Sequence, residues 1–273
     1  MTIVIPMAGA SSRFYDAGYL VPKYMLPVPP ESNMFKESVK SFDTYFSKAE
    51  FIFVVNSAVG GDDITDTVRK YCDELGIKFF RIYDIRRLTR GQAETVFEAL
   101  QYFRKEDSSE SLTIFNIDTI LKNWMVPVMA GYCKLGFHAF NDPDADKRKY
   151  SFARTLSKTP GDVYKNYRLY EEGKRHTPYY DYILKDSAEK EKVGPWCSTG
   201  LYWFSEIRIF SKLYSKAQHQ DSYNYYIAPL FAVQDSEIEM HDRLVFPCKK
   251  EDVTFVGVPE EYETYIKQFK AQE

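Results

Sequence analysis

The opening residues Thr2–Met7 form a short apolar run with β-branched positions, the pattern of a strand buried on both faces. The same texture returns at Phe51–Val55, Lys78–Tyr83 and Leu112–Ile117. Between these runs the apolar spacing lengthens to that of a helix. It places Phe35, Val39, Phe42 and Phe46 on one face of Met34–Phe46. A second helix, which Asp62 and Asp63 can cap, runs through Leu75 and ends at Gly76, and a third covers Gly91–Phe103. Strands alternating with helices predict an α/β fold, a parallel sheet covered on both faces, with ligands outside the carboxyl ends of the strands.

From Gly136 the pattern changes. Gly136–Phe140 and Tyr150–Leu156 read as strands on either side of Asn141-Asp142-Pro143-Asp144-Ala145-Asp146. That acidic run lacks the later ligands of a calcium hand and reads as a solvated turn. Tyr164–Ser187 then carries Tyr164, Tyr167, Tyr170, Tyr179, Tyr180 and Tyr182 among many charges. Cys197–Phe204 is a further strand. The expected organisation is one domain, residues 1–273, with a first half 1–135 and a second half 136–273.

Length and charge narrow the class. The chain has 273 residues, enough to bury a large core. Lys+Arg 36 against Asp+Glu 39 gives a net charge of −3 and no basic stripe, which argues against a nucleic-acid partner. Aromatic residues make up 16%, so rings are available to line pockets. Cys72, Cys133, Cys197 and Cys248 are scattered without metal or disulfide spacing, which favours a reducing, cytoplasmic setting. The apolar start has no basic flank of a signal peptide, and no run reaches membrane-spanning length.

The candidate chemistry sits at strand ends. Directly after the first strand, Ala8-Gly9-Ala10-Ser11-Ser12 offers small side chains whose backbone N–H groups can approach an anion closely. Arg13 follows as a planar, bidentate phosphate partner, and Pro22-Lys23 puts an ammonium on a stiffened segment, where it can return as a point charge to the same phosphates. Asn116-Ile117-Asp118 ends the fourth strand, where a lone carboxylate suits a hard cation or caps a following helix.

The turn, Arg13, Lys23 and Leu26-Pro27-Val28 in this register resemble the signature of the sugar-nucleotidyltransferases, the nucleoside-diphosphate-sugar pyrophosphorylases and their cytidylyltransferase relatives. The resemblance implies a GT-A-like, Rossmann-type fold. It also implies a reaction that joins a nucleoside triphosphate to a phosphorylated acceptor and releases pyrophosphate. Ser11 departs from the pattern, since the family usually has a second glycine there. The family has a base-contacting turn where this chain has Gly91-Gln92. The competing reading there is a plain helix start with Glu94 near the dipole. The resemblance makes Asp118 the Mg²⁺ ligand beside Asn116. Asn116-Ile117-Asp118-Thr119, with Trp124 beyond, is similar to the capsule- and surface-polysaccharide-related branch.

Lys149–Ala153 resembles the strand leading into that branch's acceptor half. Glu189-Lys190 followed by Thr199-Gly200 restores the register after Tyr164–Ser187, which has the look of an insertion. It implies that Lys190 takes the acceptor phosphate, Glu189 a sugar hydroxyl, and that Thr199 and Gly200 line the sugar. Glu191-Lys192 repeats the dipeptide, so Lys192 competes with Lys190 for that role. The Tyr-rich segment is expected either as a lid over the acceptor or as a contact in a homo-oligomer. Tyr226–Phe231 is similar to the family's late helix, which Pro229 should kink or restart and which reads as packing. Near the end, the family's second metal aspartate is replaced by Phe255, leaving Asp252 as a weak substitute or Mg²⁺ to waters and phosphates.

Two rivals stand beside this reading. A glycosyltransferase on a similar sheet would spend a nucleotide sugar, but it usually needs Asp-x-Asp where this chain has one carboxylate. A non-catalytic sugar-nucleotide-binding domain is kept open by Ser11 and Phe255.

Overall fold

The structure, a computed structural model, describes residues 1–157, 168–174, 177–221 and 223–270. The first half opens with β1 (Thr2–Pro6), α1 (Ser12–Asp16), the short strands β2 (Pro27–Val28) and β3 (Ser32–Asn33), and α2 (Met34–Val39). It continues through β4 (Glu50–Val55), α3 (Ser57–Gly60), α4 (Ile64–Leu75), β5 (Phe80–Asp84), α5 (Gln92–Tyr102), β6 (Leu112–Phe115) and β7 (Thr119–Leu121). The second half brings β8 (Leu135–Asn141), β9 (Ser151–Thr155), β10 (Leu184–Glu189), β11 (Trp196–Phe204) and α6 (Ile207–Ala217). It ends with β12 (Arg243–Pro247), β13 (Val253–Phe255) and α7 (Pro259–Lys270).

One sheet runs in the order β10-β9-β11-β6-β1-β4-β5, with β8 on β11 and β12 on β8. The pairs β1–β4, β1–β6 and β4–β5 are parallel, whereas β11 pairs antiparallel with β6, β8 and β9. The period of two sorts side chains to opposite faces. Val4, Ile52 and Val54 pack with Ala93, Val96 and Leu100 of α5 and Phe210 of α6. Ile3, Ile5, Phe51 and Phe53 pack on the other face with Phe35 of α2 and Ile64, Val68 and Cys72 of α4. The expected α/β sheet covered on both faces is therefore present, and its second half is mixed.

Local chemistry sets the element ends. α4 stops where Gly76 adopts φ 74°, and Ile77 N–H returns to Cys72 O at 3.0 Å. The helix expected over Met34–Phe46 changes at Lys40 into a 3-10 turn, Lys40–Tyr45, with Phe42 at φ −117°. The helix expected over Tyr226–Phe231 is instead a 3-10 turn, Ala228–Ala232, which Pro229 starts, its missing N–H falling where a first turn has no partner for one. The Asp142–Asp146 run is a turn whose carboxylates pair with Lys250 and Arg148.

Candidate functional site

β1 ends against the small-residue turn. Ser11 sits there at φ 52°, ψ 24°, the left-handed region that favours glycine. Its Oγ accepts the backbone N–H of Lys23 at 3.3 Å, tying the Pro22-Lys23 segment to the turn. Lys23 Nζ then reaches Asp118 Oδ2 at 2.5 Å across the end of the sheet. Asp118 is followed by β7, not by a helix, so it caps nothing.

Two cavities meet at this point. The first, of about 470 Å³, is lined by Ala8, Gly9, Ala10, Ser11, Lys23, Gly91 and Gln92. The second, of about 230 Å³, is lined by Arg13, Arg148, Lys149, Tyr150, Glu189, Lys190, Thr199 and Gly200. Gln92, Asn116, Asp118 and Tyr226 line both. Ser12 is exposed at the start of α1 and is not among the residues lining either cavity. Arg13 and Lys23, read from sequence as one phosphate clamp, face different cavities that share the Asp118 wall.

Backbone approach shapes the shared wall. Gln92 Nε2 donates to Asn116 Oδ1, and Asn116 N–H to Gly200 O at 3.0 Å. Gly200 has φ +81°, and a Cβ there would lie 2.7–2.9 Å from the Asn116 side chain. This glycine marks a bulge: β11 slips against β8 between Ser198 and Tyr202. Gly91 is needed for a different reason, since its backbone is extended but a Cβ would lie 2.5 Å from the Tyr225 carbonyl oxygen. Arg90 stacks 4.0 Å over the Tyr225 ring and donates to the buried Glu94, locking these two loops together. Burial pushes Glu94 up, but the Arg90 hydrogen bonds and charge hold its carboxyl below the usual range.

In the second cavity, burial raises the Glu189 pKa, with the Ser151 hydroxyl and Lys190 pulling the other way. Thr199 Oγ1 and Nδ1 of buried His138 are hydrogen-bonded at 2.8 Å. Lys190 lines the cavity, whereas Lys192 Nζ is occupied by the Pro143 and Ala145 carbonyls. Phe255 lies on the wall against Tyr150, ring centroids 5.2 Å apart. Asp252 lines a separate cavity with His138 and Cys248, so it does not replace the missing aspartate. Among the described residues, no group of three or more His, Cys, Asp or Glu is placed to hold a metal ion.

The Tyr-rich segment does not close over this site in its described part. Tyr164 and Tyr167 lie outside the described residues. Tyr170 and Tyr179 pack on Tyr132, while Tyr180 and Tyr182 join a cluster with Met129, Ile183 and Leu244. None of the described residues between 168 and 187 lines either cavity.

Sequence reasoning missed Tyr226, taken as helix packing, and Glu261 of α7, which lines the second cavity. It also missed Ser198 and Tyr202. Their signal was the alternation Ser198, Gly200, Tyr202 along a strand expected to be apolar.

A solved nucleoside-diphosphate-sugar pyrophosphorylase from Vibrio cholerae RC9 is 31% identical, with TM-score 0.78, over 97% of this chain and 100% of that one. A UDP-glucose pyrophosphorylase complexed with UDP-glucose matches at 14% identity and TM-score 0.71, covering 100% of this chain and 99% of its own. An inositol-1-phosphate CTP transferase from T. maritima matches at 13% and 0.60, over 98% and 96%. These last two share the fold. No family model matches the sequence, and no curated protein does. Fold and neighbours together define an enzyme of the nucleotidyltransferase class. Within it, the chain belongs to the nucleoside-diphosphate-sugar pyrophosphorylase family.

Proposed function

We propose that the first cavity takes the nucleoside triphosphate and the second a sugar phosphate or similar phosphorylated small molecule. The observation that carries this is the shared wall. Gln92, Asn116, Asp118 and Tyr226 border both cavities, so two ligands seated there meet over Asp118. An acceptor phosphate oxygen attacks the α-phosphorus, the α–β bridging bond breaks, and pyrophosphate leaves. Such chemistry needs positioning and charge stabilisation, not a covalent protein intermediate. The small-residue turn Ala8–Ser11 and Lys23 serve the triphosphate. Arg13, Lys190 and the neighbouring Arg148 and Lys149 draw the anionic acceptor close despite like-charge repulsion, and Glu189 accepts an acceptor hydroxyl.

The donor set fits Mg²⁺, which commonly uses one or two carboxylates and completes its shell with waters and substrate phosphates. Asp118 would hold it, and the ion would neutralise phosphate charge there. The Asn116–Thr119 run with Trp124 supports a product destined for surface polysaccharide, made in a reducing cytoplasm.

The test is a grid of nucleoside triphosphates against phosphorylated acceptors with Mg²⁺, read as released pyrophosphate. Release with one matched pair is the expected result. Consumption of a nucleotide sugar by transfer to a second sugar, with no pyrophosphate from any pair, would overturn the reading.

A further inference from the structure

A file of buried hydroxyls runs beneath the second cavity. Gly200 N–H donates to Ser198 Oγ at 2.9 Å, Ser198 Oγ–H to the Tyr202 hydroxyl at 3.0 Å, and Tyr202 O–H to Ser151 Oγ at 3.3 Å. Ser151 Oγ–H then donates to Glu189 Oε2. Ser151, Ser198 and Tyr202 are only 7%, 4% and 3% exposed. We propose that Ser198, Tyr202 and Ser151 are positioning residues that keep Glu189 ionised and leave its second oxygen, Oε1, free for an acceptor hydroxyl. The proposal rests on the second cavity being the acceptor site.

Proton counting gives the file its direction. A hydroxyl has one proton to donate, and a backbone amide only donates. With Glu189 ionised, every proton in the file finds an acceptor one step nearer the carboxylate. With Glu189 protonated at Oε2 the order reverses. Ser198 Oγ then receives both the Gly200 and Tyr202 protons, and its own proton has no acceptor within the file. A buried donor left unpaired is unfavourable, so the file opposes protonation at Oε2, while protonation at Oε1 keeps the order and loses the charge assistance of the Ser151 bond.

Burial pushes the other way on Glu189. The charged groups around the same cavity are Arg13, Arg148, Lys149 and Lys190, against Asp118 and Glu261. Of these, Lys190 joins the Ser151 bond in favouring the anion, against burial that still leaves the pKa raised. Tyr150 faces it too, its phenol pushed up to about 12 by burial and then by Glu261, and stays neutral at working pH.

The file predicts an order of effects set by place along it, not by side-chain size. With the pair found in the pyrophosphate assay, Ser151→Ala should raise the acceptor KM about tenfold, the scale of one charge-assisted hydrogen bond. Tyr202→Phe should raise it less, and Ser198→Ala least. The acid limb of kcat/KM for the acceptor should move to higher pH in the same order, because removing a donor to a carboxylate raises its pKa. The triphosphate KM should stay within about twofold, and Ser151→Thr should restore wild-type behaviour. Thermal melts identify any variant that fails to fold; if Ser151→Ala is one, Tyr202→Phe decides. Folded variants with wild-type acceptor KM and acid limb would overturn the proposal, as would equal rises in both KM values. No pyrophosphate from wild type with any pair would sink the functional reading instead, and this proposal with it.

Discussion

Lys23 and Asp118 meet at 2.5 Å, each about a quarter exposed, on the wall that the two cavities share through Asp118. A fixed ammonium there stabilises charge that develops during transfer without reorganising. Lys23→Ala should lower kcat/KM at least about 100-fold, the scale of one preorganised donor, with circular dichroism unchanged. Near-normal pyrophosphate release from the folded variant would remove Lys23 from the machinery. His138 makes a different prediction. Its Nδ1 is hydrogen-bonded to Thr199, and burial lowers its pKa from 6.5 to about 4. Above pH 6.5 both folded and unfolded chains carry it neutral. Between that value and 4 the unfolded chain takes up a proton that the folded chain refuses, so stability falls with pH, by up to roughly 3 kcal/mol. Urea midpoints at pH 8, 6 and 4.5 should show this loss, and His138→Gln should flatten it. An identical slope in the variant would assign the acid loss to other groups.

Elements explain what the sequence could and could not reveal. β1, β4 and β6 were legible because central parallel strands are apolar on both faces, and their carboxyl ends marked Ala8–Ser11 and Asn116–Asp118. Ser11 was visible as a departure from glycine, and its φ of 52° gives the departure a physical meaning. The acceptor side was legible only through the Glu189-Lys190 and Thr199-Gly200 register. Its walls come from pairings of β11 with β8 and β9, which local periodicity does not encode. Tyr226 stayed hidden because a proline-started 3-10 turn was read as a helix. The bulge in β11 is the element that joins both cavities, since Gly200 allows Asn116 to pass. Gly200→Ala must hold an L-residue at φ +81° and push Asn116 aside. The left-handed backbone alone should cost about 1–2 kcal/mol in urea unfolding. The shift of Asn116 should raise the KM for both substrates, which wild-type KM values in a destabilised variant would disprove.

At the scale of the molecule, the chain closes its site with its end. β13 pairs with β7, and α7 crosses back to the opening segment. Tyr262 packs edge-on against Phe14 and Tyr19 and donates its hydroxyl to Pro27 O at 2.7 Å. Leu26, Val28, Met34 and Val256 complete this cluster. The same return carries Phe255, Gly257, Val258 and Glu261 to the wall of the second cavity, while the first cavity has none of them. Gly257 is the tight point, because a Cβ there would stand 3.0 Å from Asp118 Oδ2. The anchoring of α7 therefore shapes the second cavity directly and reaches the first only through Asp118. Tyr262→Ala, which empties a buried aromatic site, should destabilise the protein by about 3–5 kcal/mol. At a temperature where the variant is still folded, loosening of α7 should raise the acceptor KM several-fold and leave the triphosphate KM near wild type. Tyr262→Phe keeps the ring and loses only the bond to Pro27, so it should fall between the two. A variant in which both KM values rise together would show that α7 braces the whole sheet end, and the division of labour between the cavities would then fail at this wall.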